Sequence, residues 1–141
     1  MIYIHIPFCK SRCLYCDFFS TTSSELKDDF VKALLKEIEG RAEELRFARA
    51  NTIYIGGGTP SQLDAKHLTD IFGALQRVAP LQEDAEVTIE CNPDDITPEF
   101  VDALKATPVN RVSMGVQTFD DNLLRLLRRR HTSEQAHRAV S

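Results

Sequence analysis

The chain has 141 residues, 43% apolar and 27% charged, a composition that fits one soluble globular domain and excludes a disordered segment. Its net charge of −4 gives no general pull toward nucleic acid or anionic lipid, and no apolar run approaches the roughly 20 residues that span a bilayer. The opening MIYIHIPF has no basic leader and no small-residue cleavage site, so a cytoplasmic location is expected, where four cysteines point to metal or redox chemistry more than to disulfides.

The run IYIHI (2–6) is short, apolar and β-branched, which predicts a strand. A long polar segment, 7–24, carries three of the cysteines. Leu26, Phe30, Leu34, Ile38 and Leu45 then recur at helical spacing. Ser24, or Thr22 acting with Glu25, is placed to cap that helix. A second strand, TIYIG (52–56), ends in glycines, and Leu68, Ile71, Phe72, Leu75 and Val78 mark a second amphipathic helix. EVTIEC (86–91) is a third strand, stopped by NPDD. A helix over 97–105 starts with a Thr cap and a proline at its first position. NRVSMGV (110–116) reads as a fourth strand, 120–129 as a fourth helix, and 133–140 as the start of another.

This alternation predicts an α/β fold with a parallel sheet. An eight-unit barrel needs twice as many β/α units, so the expectation is a partial barrel, with residues 1–141 the N-terminal part of a larger domain. In parallel β/α architectures functional groups gather at the C-terminal strand ends. That rim carries the cysteine loop, GGGTP (56–60), ECNP (90–93) and GVQTF (115–119).

CKSRCLYC (9–16) places Cys9, Cys13 and Cys16 in one C-x3-C-x2-C cluster. Structural zinc is usually held by four ligands in paired knuckles, and no second pair exists here. Iron–sulfur clusters also take cysteine thiolates, and three protein ligands leave one iron open. Cys91 is the remaining thiol. Strand alternation turns it with Val87 and Ile89 toward the helices, opposite Thr88 and Glu90, so it reads as a small buried hydrophobe.

The stretch YIHIPFCKSRCLYCDF followed by GGGTP resembles the radical S-adenosylmethionine (SAM) superfamily. The longer set, with IGGGTPS, IECNPDD, RVSMGVQTFDDNLL and RRRHT, resembles its coproporphyrinogen III oxidase-like group. The resemblance implies a (β/α)6 radical SAM barrel, of which this chain supplies about four units. It implies a [4Fe-4S] cluster on Cys9, Cys13 and Cys16 whose open iron binds the amino and carboxylate groups of S-adenosylmethionine. One electron then cleaves the sulfonium to methionine and a 5′-deoxyadenosyl radical. A reductant such as a flavodoxin-like donor is the implied partner.

By the same resemblance Gly57, Gly58 and Thr59 contact the methionyl part, where a plain strand-end turn is the other reading. Glu90 accepts hydrogen bonds from the ribose or the cofactor amine. Gln117 and Arg129 match cofactor-contact positions, whereas Arg128 and Arg130 read as cations at a helix C-terminus. Tyr3 is implied near the cofactor and Tyr15 near the adenine, with packed aromatics as the alternative for both. His5, His67, His131 and His137 carry no assigned role.

The oxidase branch of the group has a further cysteine two residues after the cluster motif. This chain has Cys16-Asp17-Phe18 there, and CDFFS resembles the haem-chaperone branch, which binds haem and delivers it to apoproteins in porphyrin metabolism. No segment here matches that branch's haem-binding signature. Two other readings stand beside it: an oxygen-independent coproporphyrinogen III oxidase, which decarboxylates two propionates to vinyl groups, and a non-catalytic zinc-binding module.

Overall fold

A computed structural model describes all of residues 1–141. Four strands, β1 (Ile2–Ile6), β2 (Thr52–Gly57), β3 (Glu86–Cys91) and β4 (Arg111–Met114), form one sheet in the order β1-β2-β3-β4. Every neighbouring pair is parallel. The helices between them are α1 (Lys27–Gly40), α2 (Ala42–Ala48), α3 (Ala65–Val78) and α4 (Pro98–Lys105), and after β4 come α5 (Asp121–Leu126) and α6 (Ser133–Val140).

The outward residues of the strands are Ile2, Ile4, Ile6, Ile53, Ile55, Val87, Ile89 and Cys91. They share one core with Val31 and Ile38 of α1, Leu68, Ile71, Phe72 and Leu75 of α3, and Leu104 of α4. The period of two in the strands and of 3.6 in the helices brings these faces together. The opposite face of the sheet is polar and aromatic. It carries Tyr3 and His5 of β1, Tyr54 of β2, Thr88 and Glu90 of β3, and Arg111 and Ser113 of β4, in matching register. Tyr3 and Tyr54 stack there with ring centroids 6.1 Å apart, and Tyr3 stays half exposed. Tyr3 also bonds His5 Nδ1 at 3.1 Å.

Some boundaries differ from expectation. The first helix breaks at Arg41, whose φ of −101° and ψ of 18° interrupt the run between α1 and α2. Gly40 precedes the break, and glycine is the weakest ordinary helix former. Neither Ser24 nor Thr22 caps α1: Ser24–Leu26 form a 3₁₀ turn, and the α-helix starts at Lys27 with no side-chain cap bond. Thr97 does cap α4, accepting from the Phe100 N–H. The fourth helix stops at Leu126 because Arg128 takes a left-handed φ of 57° and the Arg129 N–H turns back to Leu124 O. Leu124 and Ala136, the buried residues of α5 and α6, lie outside the sheet core, and α6 packs against the Pro93–Asp95 turn.

Candidate functional site

The strand ends of one rim enclose a cavity of about 210 Å³. Cys9, Cys13 and Cys16 line it, with Tyr15 and Phe18 from the same loop. Gly57, Gly58 and Thr59 enter from the end of β2, Glu90 and Asn92 from the end of β3, and Gly115, Gln117 and Arg129 from the segments after β4. The loop is held by its backbone. Cys9 N–H donates to Thr21 O at 2.9 Å, Thr21 N–H to Pro7 O at 2.7 Å, Cys16 N–H to Cys13 O at 3.2 Å, and Leu14 N–H to Leu127 O at 3.1 Å. His5 adds a side-chain tie to Phe19 O at 2.8 Å.

Two side chains donate to the thiols. Thr59 Oγ1 lies 3.4 Å from Cys9 Sγ, and Arg129 Nη1 lies 3.3 Å from Cys13 Sγ. Asn92 joins these donors: its Nδ2 reaches Thr59 Oγ1 at 3.4 Å, and its Oδ1 accepts from Arg129 Nη2 at 2.9 Å. Arg129 Nη2 also donates to Gly115 O, while its Nε is buried with no partner. Tyr15 sits beside Arg129 and Cys13. Partial burial raises its phenol pKa, and the guanidinium opposes the rise.

The glycines are required by close approach. Gly57 has a φ of +116°, and a Cβ there would fall 2.7 Å from the His5 ring. A Cβ on Gly58 would fall 2.9 Å from Phe8 O and 3.0 Å from Cys9 Sγ. Gly56 makes room for Glu90, since a Cβ there would fall 3.0 Å from Glu90 Oε2; that oxygen accepts from Gly57 N–H at 3.1 Å, and Oε1 accepts from Tyr54 Oη at 2.6 Å. That bond to Glu90 is the main reason the Tyr54 phenol pKa is raised. Gln117 has a left-handed φ of 66° and stands exposed at the cavity mouth.

Of the residues singled out in the sequence, ten share this cavity and Tyr3 does not; it stays on the open sheet face. Cys91 reaches the cavity floor but is buried among the core residues, and burial pushes its thiol pKa up to about 12. Arg130 is not a free cation at a helix end. It pairs with Asp94 at 2.9 Å and Asp95 at 3.3 Å. Sequence reading missed Asn92, Asp95 and Lys10; the only signal was an acidic, proline-bearing turn directly after a strand on the functional rim. His131, also without an assigned role, is buried and bonds Val116 O at 3.0 Å.

Residues 3–141 match the family model of the radical SAM superfamily. The chain belongs to that superfamily. It is 40% identical over 140 residues to the heme chaperone HemW of Lactococcus lactis, covering 98% of this chain and 36% of that protein. To HemW of Escherichia coli it is 40% identical over 142 residues, covering 99% of this chain and 37% of the relative. The chain therefore spans a little over a third of the length of these curated relatives. Among solved structures it is similar to coproporphyrinogen III oxidase HemN of Escherichia coli, with a TM-score of 0.87 and 32% identity, covering 99% of this chain and 32% of that one. Elp3 of Methanocaldococcus infernus, at a TM-score of 0.55 and 19% identity over 84% of this chain, shares the fold alone.

A radical SAM protein implies a [4Fe-4S] cluster and S-adenosylmethionine. The donor set fits in chemistry: three free, partly exposed thiols line one cavity, and thiolate is the ligand of such clusters. An unpartnered guanidinium Nε and a glycine floor lie beside them. The three sulfurs are not gathered into a ligating group, so holding a cluster requires the 9–16 loop to draw them together.

Proposed function

We propose that this chain holds a [4Fe-4S] cluster on Cys9, Cys13 and Cys16 and binds S-adenosylmethionine beside it, as the N-terminal part of a haem chaperone. The observation that carries the reading is the convergence of all three loop thiols, the glycine loop, Glu90, Gln117 and Arg129 on one cavity. The bound cluster supplies one-electron reduction of the cofactor sulfonium. The chain supplies the rest. Gly57, Gly58 and Thr59 line the cavity beside the thiols, where the methionyl part would lie. Arg129 keeps its Nε–H, the one nitrogen of its guanidinium without a partner, as a charged donor toward the methionyl carboxylate. Glu90, oriented by Tyr54 and the Gly57 N–H, keeps lone pairs for a ribose hydroxyl or an amine. Tyr15 offers a face to the adenine. Tyr3, outside the cavity, faces the space that further strands of a barrel enclose.

Chaperone is favoured over oxidase by the 40% identity to HemW proteins and by Phe18. This side chain lines the cavity where the oxidase branch carries a thiol, and it has no redox or proton-transfer chemistry. Haem, the cytoplasmic location and an electron donor for the cluster belong to this proposal. So does the division of the domain. The far edge of β4 pairs with no strand, and its unpaired backbone groups are an association hazard that further strands remove.

The test is anaerobic reconstitution followed by iron, sulfide and zinc analysis, then haem titration of this chain and of one extended to the length of the relatives. About four iron and four sulfide per chain, with haem transfer only from the longer form, is the expected result. Zinc without iron sinks the radical SAM cluster reading, and coproporphyrinogen consumption by the longer form would favour the oxidase.

A further inference from the structure

We propose that Asp95 is a positioning residue: one buried carboxylate that ties together the cysteine loop, the glycine loop and the arginine turn, so that these three hold their relative places without a ligand. What the loops bind rests on the reading above; how they are held does not. Asp95 sits in the Pro93–Asp95 turn after β3 with its side chain 3% exposed. Its Oδ1 accepts from Lys10 Nζ at 3.0 Å and from Arg130 Nη2 at 3.3 Å. Its Oδ2 accepts from Ser61 Oγ at 2.8 Å and from the same Arg130 nitrogen at 3.3 Å.

Each partner is a near chain neighbour of a site residue. Lys10 follows Cys9, Ser61 comes two residues after Thr59, and Arg130 follows Arg129. The same turn begins at Asn92, whose side chain bonds Thr59 and Arg129 and whose N–H reaches Ser61 Oγ at 3.3 Å. The turn therefore bonds the glycine loop three times, at Ser61 twice and at Thr59 once, holds the arginine turn at both Arg129 and Arg130, and meets the cysteine loop once, through Lys10.

The physical reason for a carboxylate at this place is its charge. A buried ionised group is strongly unfavourable unless cations and donors meet it, so Asp95 requires Lys10 and Arg130 to stay. Asp94 pairs with Arg130 as well, so Lys10 is the arm that depends on Asp95 alone. The apolar core of the sheet contains none of these groups. Loss of the carboxylate is therefore expected to loosen the rim and spare the sheet.

Asp95→Asn keeps the size and the Ser61 acceptor and removes the charge. Hydrogen exchange is followed in the metal-free 141-residue chain. The amides of Cys9, Thr59 and Arg129, bonded to Thr21, Phe8 and Leu124, are expected to exchange about tenfold faster or more in the variant, the size of a lost charge-assisted bond. The amides of β2 and β3 are expected to be unchanged. Equal exchange at all three sites, or uniform acceleration across the sheet, overturns the proposal.

If Asp95→Asn does not fold, Lys10→Met serves. It removes one arm at a side chain 57% exposed and is expected to speed Cys9 while leaving Thr59 and Arg129 unchanged; no change at Cys9 overturns the proposal. After reconstitution, the concentration of S-adenosylmethionine needed for half-maximal change in the cluster's electron paramagnetic resonance signal is expected to rise about tenfold in Asp95→Asn. The two readings separate cleanly. An unaltered chain that takes up no iron, while Asp95→Asn still loosens the loops, leaves the brace standing and removes the cluster. An unaltered chain that loads iron, with no loosening in the variant, does the reverse.

Discussion

Gly58→Ala tests the packing of the cysteine loop against the glycine loop. A methyl group there would lie 2.9 Å from Phe8 O, 2.9 Å from Pro7 C and 3.0 Å from Cys9 Sγ. Two of these are backbone atoms in a segment pinned on both sides: Gly58 N–H donates to Ile6 O at 2.8 Å and Thr59 N–H to Phe8 O at 2.7 Å. Ordinary carbon contact needs about 3.5–4.0 Å, so Pro7–Cys9 has to retreat and the Thr59–Phe8 bond has to stretch. Overpacking costs about 1–3 kcal/mol, and a weakened backbone bond adds about 1 kcal/mol. At roughly 3–5 °C per kcal/mol for a chain of this size, the melting temperature should fall by about 6–20 °C. Gly73→Ala, in the middle of α3, is the control. Its methyl group meets only the mobile end of Arg77 at 3.7 Å, and alanine gains about 0.5–1 kcal/mol over glycine in a helix, so its melting temperature should rise by about 2–5 °C. Thermal unfolding of both metal-free variants by circular dichroism decides it. A Gly58→Ala chain melting with the unaltered one would show that the two loops are not in contact as described.

Two further outcomes concern the cysteines. Cys13→Ala should abolish iron uptake on anaerobic reconstitution and Cys91→Ala should not, measured as iron per chain; equal loss would make Cys91 a ligand. The Cys91 thiol has its pKa raised from 9.0 to about 12 on folding, chiefly by burial. The unfolded chain therefore releases this proton first, and the contribution of Cys91 to stability, full below pH 9, is lost as pH rises from 9 to 12. Urea unfolding across that window should show the unaltered chain losing more stability than Cys91→Ala.

The strands and helices were legible because their apolar periods are unbroken: Ile2, Ile4 and Ile6 share one face, and Leu68, Ile71, Phe72 and Leu75 another. The placement of Cys91 followed from the same alternation. The break at Arg41 was not legible, since the helical period runs on to Leu45, which still packs on the core from α2. The cysteine, glycine and Arg129 parts of the site were found through motif, but the groups that hold them were not. Asp95 meets Lys10, Ser61 and Arg130 at separations of 85, 34 and 35 residues. An acid beside a proline looks like any surface turn until the fold supplies its partners. Tyr3 lies on the inner sheet face, whereas the cavity opens beyond the strand ends, away from it.

The question of why three cysteines and not four has an answer in strand geometry. The fourth thiol is not remote, since Cys91 reaches the floor of the same cavity. It stands at the end of β3, one residue after Glu90, and consecutive strand residues face opposite ways. The inward position carries Glu90, which bonds Tyr54 and the Gly57 N–H; the outward one carries Cys91, packed with Val87 and Ile89. Ligation needs a thiolate, and burial holds Cys91 as a thiol far above neutral pH. Recruiting it would therefore require ionisation inside the apolar core and the loss of its contacts there. The loop cysteines lie outside that core: each is partly exposed, on a segment tied down by a few backbone bonds and by Lys10. One step of alternation separates a ligand position from a core position, and it leaves this rim with three thiols to offer and a carboxylate where a fourth would stand.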